Sequence, residues 1–338
     1  MDLTATVYAP PRAKTPWSLS ELYAPAAVRF YGHGRNALTE ALKLCGAAGG
    51  RVLLPAFICQ DLLSSVAAAG AEPAFYGVGP GLAPEDDPSR WPDARAVLAV
   101  DYFGFPQELS PFAAYARRCG AVVIEDAAHA LFSRDANGRL LGTRAPLGIL
   151  SLRKSLPLPN GGALLANNFT GTLPLQPSFA PMPGRRPALK AAARPFLALA
   201  GARVTHAALT GFRSLRGNSS GLVAAEHDAE TAIPSAAPCP ELERALTCAD
   251  PGIEASRRRA LWSLCDGLAR RAGLTPVFAS LPDGVVPYGY AFRSDPEAAR
   301  AAFAAEGLTA LPWPYLPNAL AASAPVHHRN VYVAHFLW

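Results

Sequence analysis

The sequence lacks the features of membrane and secreted proteins. None of its 338 residues lies in a run of about 18 apolar residues, the length that a membrane-spanning helix needs. The N-terminal region has no apolar centre of the kind that marks a secretory signal peptide. The six cysteines form no C-x-x-C pair and are too sparse for a disulfide scaffold. We therefore expect a cytoplasmic protein whose thiols are reduced and buried.

Acidic residues are missing from a long internal stretch. Residues 136–225 contain no Asp or Glu but eleven Lys and Arg, so this stretch should attract anions. The alternatives are a solvated basic face, a site for a phosphorylated substrate, and contact with an acidic membrane surface through the basic residues between 185 and 216. Aromatic residues are not interleaved with these charges and no nucleic-acid-binding motif is recognisable, so we expect no nucleic-acid partner.

The composition and the apolar pattern predict an α/β fold. Half of the residues are hydrophobic and 17% are charged, which is typical of a globular protein with a large core. Short apolar runs alternate with helical patterns, which indicates βαβ units and a mainly parallel sheet. We expect helices at 35–45 and 112–118, the second with Ser110 as its N-cap and Pro111 in its first turn. Candidate strands are residues 51–54, 73–76, 96–100, 121–125, 148–152 and 162–166.

Proline and turn residues divide the second half of the chain. Loops are expected at 173–184 and 233–240, with a basic helical segment between them. Later elements are a helix at 253–272, a strand at 289–293, a helix at 295–306 and a Pro/Trp-rich tail. The domains that we predict are an N-terminal arm (1–27), a large domain (28–232) and a small α+β domain (241–338).

A glycine turn precedes the helix expected at 35–45. In the segment YGHGRNAL, Gly32 and Gly34 flank His33 directly before the helix, where free backbone N–H groups lie at the positive end of the helix dipole. Such a turn is typical of a phosphate site, although an ordinary turn that leads into a helix has the same residues.

Acidic residues end the strand expected at 121–125. Glu125 and Asp126 stand at its carboxyl end, where α/β sheets bind ligands, and His129 follows three residues later. An Asp at this place can pair with a ring nitrogen and keep it protonated. The alternatives are that Asp126 caps the next turn and that His129 is a core histidine.

A lysine follows the strand expected at 148–152. In GILSLRKSLPLPNGGALL, Lys154 lies between this strand and a Pro/Gly-rich turn that leads into the next one. Partial desolvation lowers the pKa of a lysine and frees its amine, as a nucleophilic lysine requires. A solvent-exposed loop lysine is the alternative.

The order and spacing of these three segments resemble the DegT/DnrJ/StrS-like family of pyridoxal-phosphate-dependent aminotransferases, which have fold type I. The resemblance runs from about Val28 to Asn168 through GRNAL, VLLPAFICQDLLSSV, DYFGFPQELSPFAAYARRCGAVVIEDAAHAL and SLRKSLPLPNGGALL. It continues more faintly through residues 287–317. It implies a three-layer large domain with a mainly parallel sheet, a short C-terminal domain and a pyridoxal 5'-phosphate cofactor.

The resemblance also implies roles for single residues. Lys154 matches the lysine that carries the cofactor and moves a proton, and Asp126 matches the carboxylate that pairs with the ring nitrogen. His129 matches the neighbour of the cofactor ring or its hydroxyl. Gly34 and Arg35 match the turn whose backbone amides hold the phosphate.

Several positions depart from the family pattern. His33 stands in the phosphate turn where Ser or Thr is frequent. Cys59 stands where an aromatic residue stacks on the cofactor ring, a place that Phe57 or Phe103 can take instead. The usual serine five residues before the lysine is absent, although Ser151 is close by. We include Cys59, Phe103 and Ser151 among the expected cofactor contacts, and we expect no metal site.

The activity that the resemblance implies is amino-group transfer. The donor would be an amino acid, and the acceptor a keto or aldehyde compound such as a nucleotide-linked or other phosphorylated sugar. The alternatives are other pyridoxal-phosphate chemistry (elimination, dehydration or decarboxylation) and a non-catalytic family member that serves as a binding subunit. Enzymes of this class usually form homodimers with shared sites, so we expect a homodimer.

Overall fold

The structure is a computed structural model. It describes residues 17–156, 158–181, 233–242, 246, 249–304, 308 and 310–336, with the backbone alone at 299, 300 and 304. The basic segment between 185 and 216 and most of the predicted N-terminal arm lie outside the described residues.

Seven strands form the larger sheet. Its spatial order is β1-β7-β6-β5-β4-β2-β3, and the five strands from β6 to β3 run parallel to one another. Strand β7 is antiparallel to both of its neighbours, β6 and β1. The strands are β1 Ala27–Tyr31, β2 Arg51–Pro55, β3 Glu72–Tyr76, β4 Ala96–Val100, β5 Val122–Asp126, β6 Leu147–Leu150 and β7 Gly162–Ala166.

The central strands are short apolar runs because both faces of the sheet are covered. Every residue of β4, β6 and β7 is buried, as expected of strands that contact other elements on both sides. The helices that precede the second sheet are α1 Leu19–Leu22, α2 Gly34–Leu44, α3 Leu63–Ala68, α4 Ser110–Cys119 and α5 Pro251–Arg271. Short 3-10 turns span Gln60–Leu62, Pro88–Arg90, Tyr102–Gly104 and Leu152–Lys154. The prediction of an α/β fold with a mainly parallel sheet is confirmed.

A second, antiparallel sheet follows helix α5. Its order is β10-β11-β9-β8, formed by β8 Thr275–Pro276, β9 Gly289–Arg293, β10 Ala310–Pro312 and β11 Val331–His335. The associated helices are α6 Pro296–Ala304, α7 Asn318–Ala321 and α8 Val326–Arg329. One apolar core cluster includes side chains of both sheets, among them Val97 of β4 and Phe292 of β9. Leu152 of the Leu152–Lys154 turn belongs to a second cluster, which also contains Val286 from the segment before β9.

The strand predictions between 51 and 166 were correct apart from small shifts of their ends. The largest shift concerns residues 148–152, because the strand stops at Leu150 and the chain then turns into the 3-10 segment. Strands β1, β8, β10 and β11 were not predicted. Strand β1 carries Arg29 in its middle, and β10 has three residues ending in Pro312, so neither shows a clear apolar run. Their partners in the sheets determine their conformation.

The predicted N-cap of α4 was wrong by one residue. The helix begins at Ser110, and Leu109 is its N-cap. The side chain of Glu108 accepts a hydrogen bond from the Ser110 backbone N–H at 3.0 Å. The Glu108 carboxylate thereby accepts from one of the backbone N–H groups in the first turn, a capping role that the sequence predicted for the Ser110 hydroxyl.

The prediction of buried, reduced thiols was correct in part. All five cysteines within the described residues are free. Cys239 and Cys265 are buried, whereas Cys45, Cys59 and Cys119 are partly exposed. Cys45 and Cys119 lie at the ends of α2 and α4, where a helix leaves the core.

Candidate active site

The carboxyl end of β5 carries a buried aspartate. Asp126 is 5% exposed, and its Oδ1 accepts a hydrogen bond from the Ala128 backbone N–H at 2.9 Å. Within the described residues no cation lies within 4 Å of this carboxylate, so burial is the largest influence and raises the pKa of Asp126. Lys154 opposes that shift through its charge. A buried carboxylate without an ion pair is a group that a bound cation or protonated ring can stabilise.

Lys154 reaches the same place from the neighbouring strand. Strand β6 lies beside β5, and Lys154 ends the 3-10 turn that follows it. Its Nζ lies 2.9 Å from Nε2 of His129. Burial lowers the pKa of Lys154, while Asp126 acts in the opposite direction. The desolvated amine predicted from the sequence is therefore present at the end of the sheet.

His129 is held between aromatic rings. The ring of Tyr288 stacks on it with centroids 4.4 Å apart, and the ring of Phe103 lies nearly parallel to it at 5.6 Å. Trp313 contacts it edge-on at 5.2 Å. Its Nδ1 accepts a hydrogen bond from the Phe103 backbone N–H at 3.3 Å. Burial, followed by the charge of Lys154, holds the pKa of His129 well below its usual range.

The start of helix α2 forms the opposite wall. The N-cap residue His33 makes no side-chain cap to the helix, and the first turn has no acidic residue. The imidazole Nδ1 of His33 is buried without a hydrogen-bond partner among the described residues. A side chain at position 162 would collide with the backbone of His33 and Gly34, so Gly162 allows β7 to pass directly beside this turn.

These groups surround one cavity. It brings together six of the residues predicted from the sequence, whereas His129 and Phe103 are not among its lining residues, and His129 contacts Lys154 Nζ. The ring of Phe103 packs on His129, and Phe57 packs on Trp313 and His328. The lining residues are His33, Gly34, Arg35, Leu38, Cys59, Asp61, Leu62, Asp126, Ala128, Ile149, Ser151, Arg153, Lys154 and Trp313.

Trp313 and Tyr288 were missed by the reasoning from sequence. Trp313 follows strand β10 and lines the cavity, while Tyr288 directly precedes β9 and stacks on His129. Both come from the second half of the chain, more than one hundred residues after Lys154. The Pro/Trp-rich composition of the tail was the available signal for Trp313, and no local pattern distinguished Tyr288.

Arg258 of helix α5 was also missed. Its guanidinium is 1% exposed and its Nε donates to Glu254 Oε1 at 2.6 Å. Its Nη2 donates to the backbone oxygens of Lys154 and Ser155 at 3.4 and 3.1 Å, and its Nη1 to those of Pro287 and Tyr288 at 3.2 and 3.3 Å. Arg258 therefore connects the turn that carries Lys154 to the segment that carries Tyr288.

The described residues provide no alternative type of centre. No group of His, Cys, Asp and Glu within the described ranges has the arrangement of a metal site. Among the same residues, no helix combines the length and apolar character that crossing a bilayer requires.

The mainly parallel sheet with its helices has the α/β architecture of fold type I aminotransferases. Residues 30–170 match the model of the DegT/DnrJ/EryC1/StrS aminotransferase family. The resemblance inferred from the three sequence segments is confirmed over the range in which they lie.

Two curated proteins are similar to part of the chain. The chain is 32% identical over 146 residues to the "Pleiotropic regulatory protein" of Geobacillus stearothermophilus, covering 40% of this chain and 39% of that protein. It is 33% identical over 149 residues to dTDP-4-dehydro-2,3,6-trideoxy-D-glucose 4-aminotransferase of Saccharopolyspora spinosa, covering 42% and 38%. The matched segment thus spans about two fifths of the length of these curated relatives.

The likeness to solved structures extends over most of the chain. Spr1654 from Streptococcus pneumoniae, in its PLP-form, superposes with a TM-score of 0.56 at 13% sequence identity. The superposition covers 94% of this chain and 83% of that chain. At this identity the comparison concerns the fold, and the two sheets described above are both included in its range.

Proposed function

We propose that this protein is a pyridoxal-phosphate-dependent aminotransferase. The observation that carries the proposal is the meeting of three elements at one cavity: the end of β5 with Asp126, the turn after β6 with Lys154, and the uncapped start of α2 with Gly34. Each element supplies one of the groups that a phosphorylated pyridine aldehyde requires. The match of residues 30–170 to the aminotransferase family model supports the same activity.

The residues of the cavity fit this cofactor. The backbone amides at Gly34 and Arg35, together with the hydroxyl of Ser151, would hold the phosphate at the positive end of the α2 dipole. Asp126, a buried carboxylate without an ion pair among the described residues, would pair with the protonated ring nitrogen. When bound, pyridoxal phosphate supplies an electron sink for reactions at the carbon next to an amino group.

The side chains of this chain supply the proton chemistry. Lys154 would carry the cofactor and, once released by an incoming amino group, would take up and return a proton at Nζ. Asp126 would keep the ring nitrogen protonated through its charge. Trp313 and Leu38 add apolar wall to the cavity and limit the access of water to these groups.

The substrates follow from the family and the local charge. We propose an amino acid as the donor and a keto or aldehyde sugar, linked to a nucleotide or otherwise phosphorylated, as the acceptor. The relative from Saccharopolyspora spinosa is named for such a substrate. Arg35 and Arg153 line the cavity of this chain and add positive charge for an anionic acceptor.

The remaining parts of the proposal concern assembly and location. We propose a cytoplasmic homodimer with active sites at the subunit interface, in which basic residues between 185 and 216 lie near the entrance. The charge asymmetry of residues 136–225 supports the second part, because a stretch without an acid attracts anions. The division into an N-terminal arm, a large domain (28–232) and a small domain (241–338) also stays a proposal.

A spectroscopic experiment tests the activity. Purified protein is loaded with pyridoxal phosphate, and its visible absorbance is followed as glutamate, glutamine or other amino acids are added. We expect the bound cofactor to change to its amine form with release of a stoichiometric keto acid. Release of ammonia or carbon dioxide without formation of the amine form would indicate elimination, dehydration or decarboxylation instead. A protein that binds no cofactor would contradict the proposal.

A further inference from the structure

We propose that the Phe103 backbone and the His129 imidazole together hold Lys154 as an uncharged amine in the cofactor-free protein. The inference deepens the proposed function and rests on it in one respect, since the uncharged amine is the form that can bond to a carbonyl carbon. It assigns His129 a role before the cofactor enters.

The first step is the backbone of Phe103. This residue has φ 56° and ψ 17°, a left-handed backbone conformation that residues other than Gly, Asn and Asp rarely adopt. The conformation is held from two sides, because Phe103 N–H donates to His129 Nδ1 at 3.3 Å and Phe103 O accepts from the Tyr288 N–H at 2.8 Å. Residues with such a strained backbone are found at functional sites, where contacts with the surrounding structure hold the backbone in that conformation.

The second step is the tautomer of His129. A backbone N–H group can only donate, so Nδ1 must accept and cannot carry a proton. The neutral ring therefore has its proton on Nε2. A proton on both nitrogens is opposed above all by burial, which holds the pKa of His129 well below its usual range.

The third step is the contact with Lys154. Nε2 lies 2.9 Å from Lys154 Nζ and, in this tautomer, can only donate. The amine must then accept, which requires a free lone pair that an ammonium group lacks. Lys154 is therefore uncharged as long as Phe103 holds the His129 ring in this state.

Some of the other charged and titratable groups around Lys154 favour its ammonium form, and others favour its uncharged form. Asp126 favours the ammonium form, but burial raises its own pKa and weakens that effect. Arg153 disfavours a second positive charge, and burial lowers the pKa of His335 to about 4, so this histidine is neutral at pH 7. Lys154 Nζ also lies 5.9 Å from the centroid of the Tyr288 ring, a contact that favours the ammonium form. The titratable groups around Lys154 are Asp126, Arg153, Cys59, Asp61, His129, Tyr288 and His335.

The sequence is well suited to a direct measurement. It contains four lysines, namely Lys14, Lys43, Lys154 and Lys190. Lys43 is a surface residue of α2 with an exposed side chain and serves as an internal reference. Trace labelling with acetic anhydride over a range of pH, followed by chymotryptic digestion and mass spectrometry, reports the fraction of free amine at each lysine in the full chain after removal of bound cofactor.

We expect the midpoint of Lys154 labelling to lie below pH 7, as an amine that is uncharged at neutral pH requires, and well below the midpoint of Lys43. Changing His129→Gln removes the ring that can only donate, since an amide oxygen can accept from an ammonium group. The midpoint for Lys154 should then move above pH 7, so that most of Lys154 is in the ammonium form at neutral pH. The matched variant is His327→Gln in α8, where the histidine side chain bonds to Val78 O. This change should leave the midpoint for Lys154 unchanged.

A second measurement addresses the ring itself. In protein labelled with ¹⁵N-histidine, the resonance lost in His129→Gln should show an unprotonated Nδ1 and a protonated Nε2 at neutral pH. The proposal would be overturned by the opposite tautomer, by a midpoint for Lys154 above pH 7, or by an unchanged midpoint in a folded His129→Gln protein. Circular dichroism establishes that the variants are folded.

The two proposals fail in different ways. A low midpoint for Lys154 in a protein that does not bind pyridoxal phosphate would contradict the proposed activity and leave the role of His129 intact. An ordinary midpoint in a protein that binds the cofactor at Lys154 would contradict the role of His129 alone.

Discussion

At the scale of single residues, two neighbouring carboxylates at the end of β5 have opposite surroundings. Glu125 is fully buried and accepts from Arg144 Nε at 2.6 Å, whereas Asp126 has no ion pair among the described residues. Successive side chains of a strand point to opposite faces of the sheet, so the pleat alone separates their environments. The carboxylate that faces the cavity is the one available to a ligand.

Lys154 should be the attachment site of the cofactor. It is the lysine of the cavity wall, whereas Lys43 pairs with Glu40 on the surface of α2. Reduction of the loaded protein with borohydride should leave a pyridoxyl group on Lys154, located by mass spectrometry, and Lys154→Arg should remove it. An adduct on Lys14, Lys43 or Lys190, or none on a loaded protein, would show that the assignment is wrong.

Asp126→Asn should preserve the fold and suppress turnover. The amide keeps the shape of the side chain but removes the charge that would hold the ring nitrogen protonated. Loss of one such electrostatic contact in a buried site reduces turnover by about 100-fold or more. Steady-state kinetics with a saturating donor measure the effect, and the melting temperature without cofactor provides the control for folding. Turnover near that of the unchanged protein would exclude this role.

At the scale of secondary-structure elements, Arg258 joins three parts of the chain. Helix α5 holds its guanidinium through Glu254, and its remaining donors bind the backbone of the Lys154 turn and of the segment before β9. A planar group with five donors can make these contacts at once, which an ammonium group cannot do. The position of Lys154 relative to Tyr288 therefore depends on one buried side chain.

Arg258→Lys should destabilise the protein although the charge is retained. The shorter ammonium group cannot satisfy the same acceptors, and breaking one side of a buried ion pair costs about 3 to 5 kcal/mol when the partner charge is left unpaired. Arg257 also pairs with Glu254, so we expect a smaller loss of about 2 kcal/mol. Unfolding in urea measures the difference.

The matched control for this experiment is Arg271→Lys in the same helix. Arg271 is exposed in the last turn of α5, and a surface change of this type alters stability by no more than about 0.5 kcal/mol. If both variants unfolded at the same urea concentration, the connecting role of Arg258 would be refuted.

At the scale of the whole molecule, the first prediction concerns assembly. We expect a homodimer at micromolar concentration in sedimentation, because closed two-fold dimers are the commonest soluble assembly and enzymes of this class usually share their sites between subunits. Asp126 and Lys154 line one cavity of the same chain, so hybrid dimers of Lys154→Arg and Asp126→Asn protein should stay inactive. A fully active monomer would contradict the dimer proposal.

The second prediction at this scale concerns the basic segment outside the described residues. Changing Arg185 and Arg186 to Ser should raise KM for a phosphorylated acceptor and reduce its dependence on salt, because each exposed charge attracts an anion over a distance limited by ionic screening. The control is a double change of Arg117 and Arg271, which are exposed residues of α4 and α5, to Ser. Equal KM values for the two double variants would contradict the proposal that this segment contributes to binding of the acceptor.

The central sheet and the positions of the candidate site residues could be predicted from the sequence alone. Buried parallel strands are recognisable as short apolar runs, so β2 to β7 were predictable, and the residues after such strands are brought to one edge by the topology. Asp126, Lys154 and Gly34 were found in this way, because their signals are local. The match of residues 30–170 to the family lies in the same part of the chain.

The side chains that surround these residues are known only from the tertiary structure. Tyr288, Trp313 and Arg258 reach the Lys154 turn from elements that follow it by more than one hundred residues, and no local pattern encodes such contacts. Strands β1, β10 and β11 likewise depend on their partners in the sheets. The physical reason is that propensity and periodicity act over a few residues, whereas the packing of an imidazole between two rings depends on how distant segments fit together.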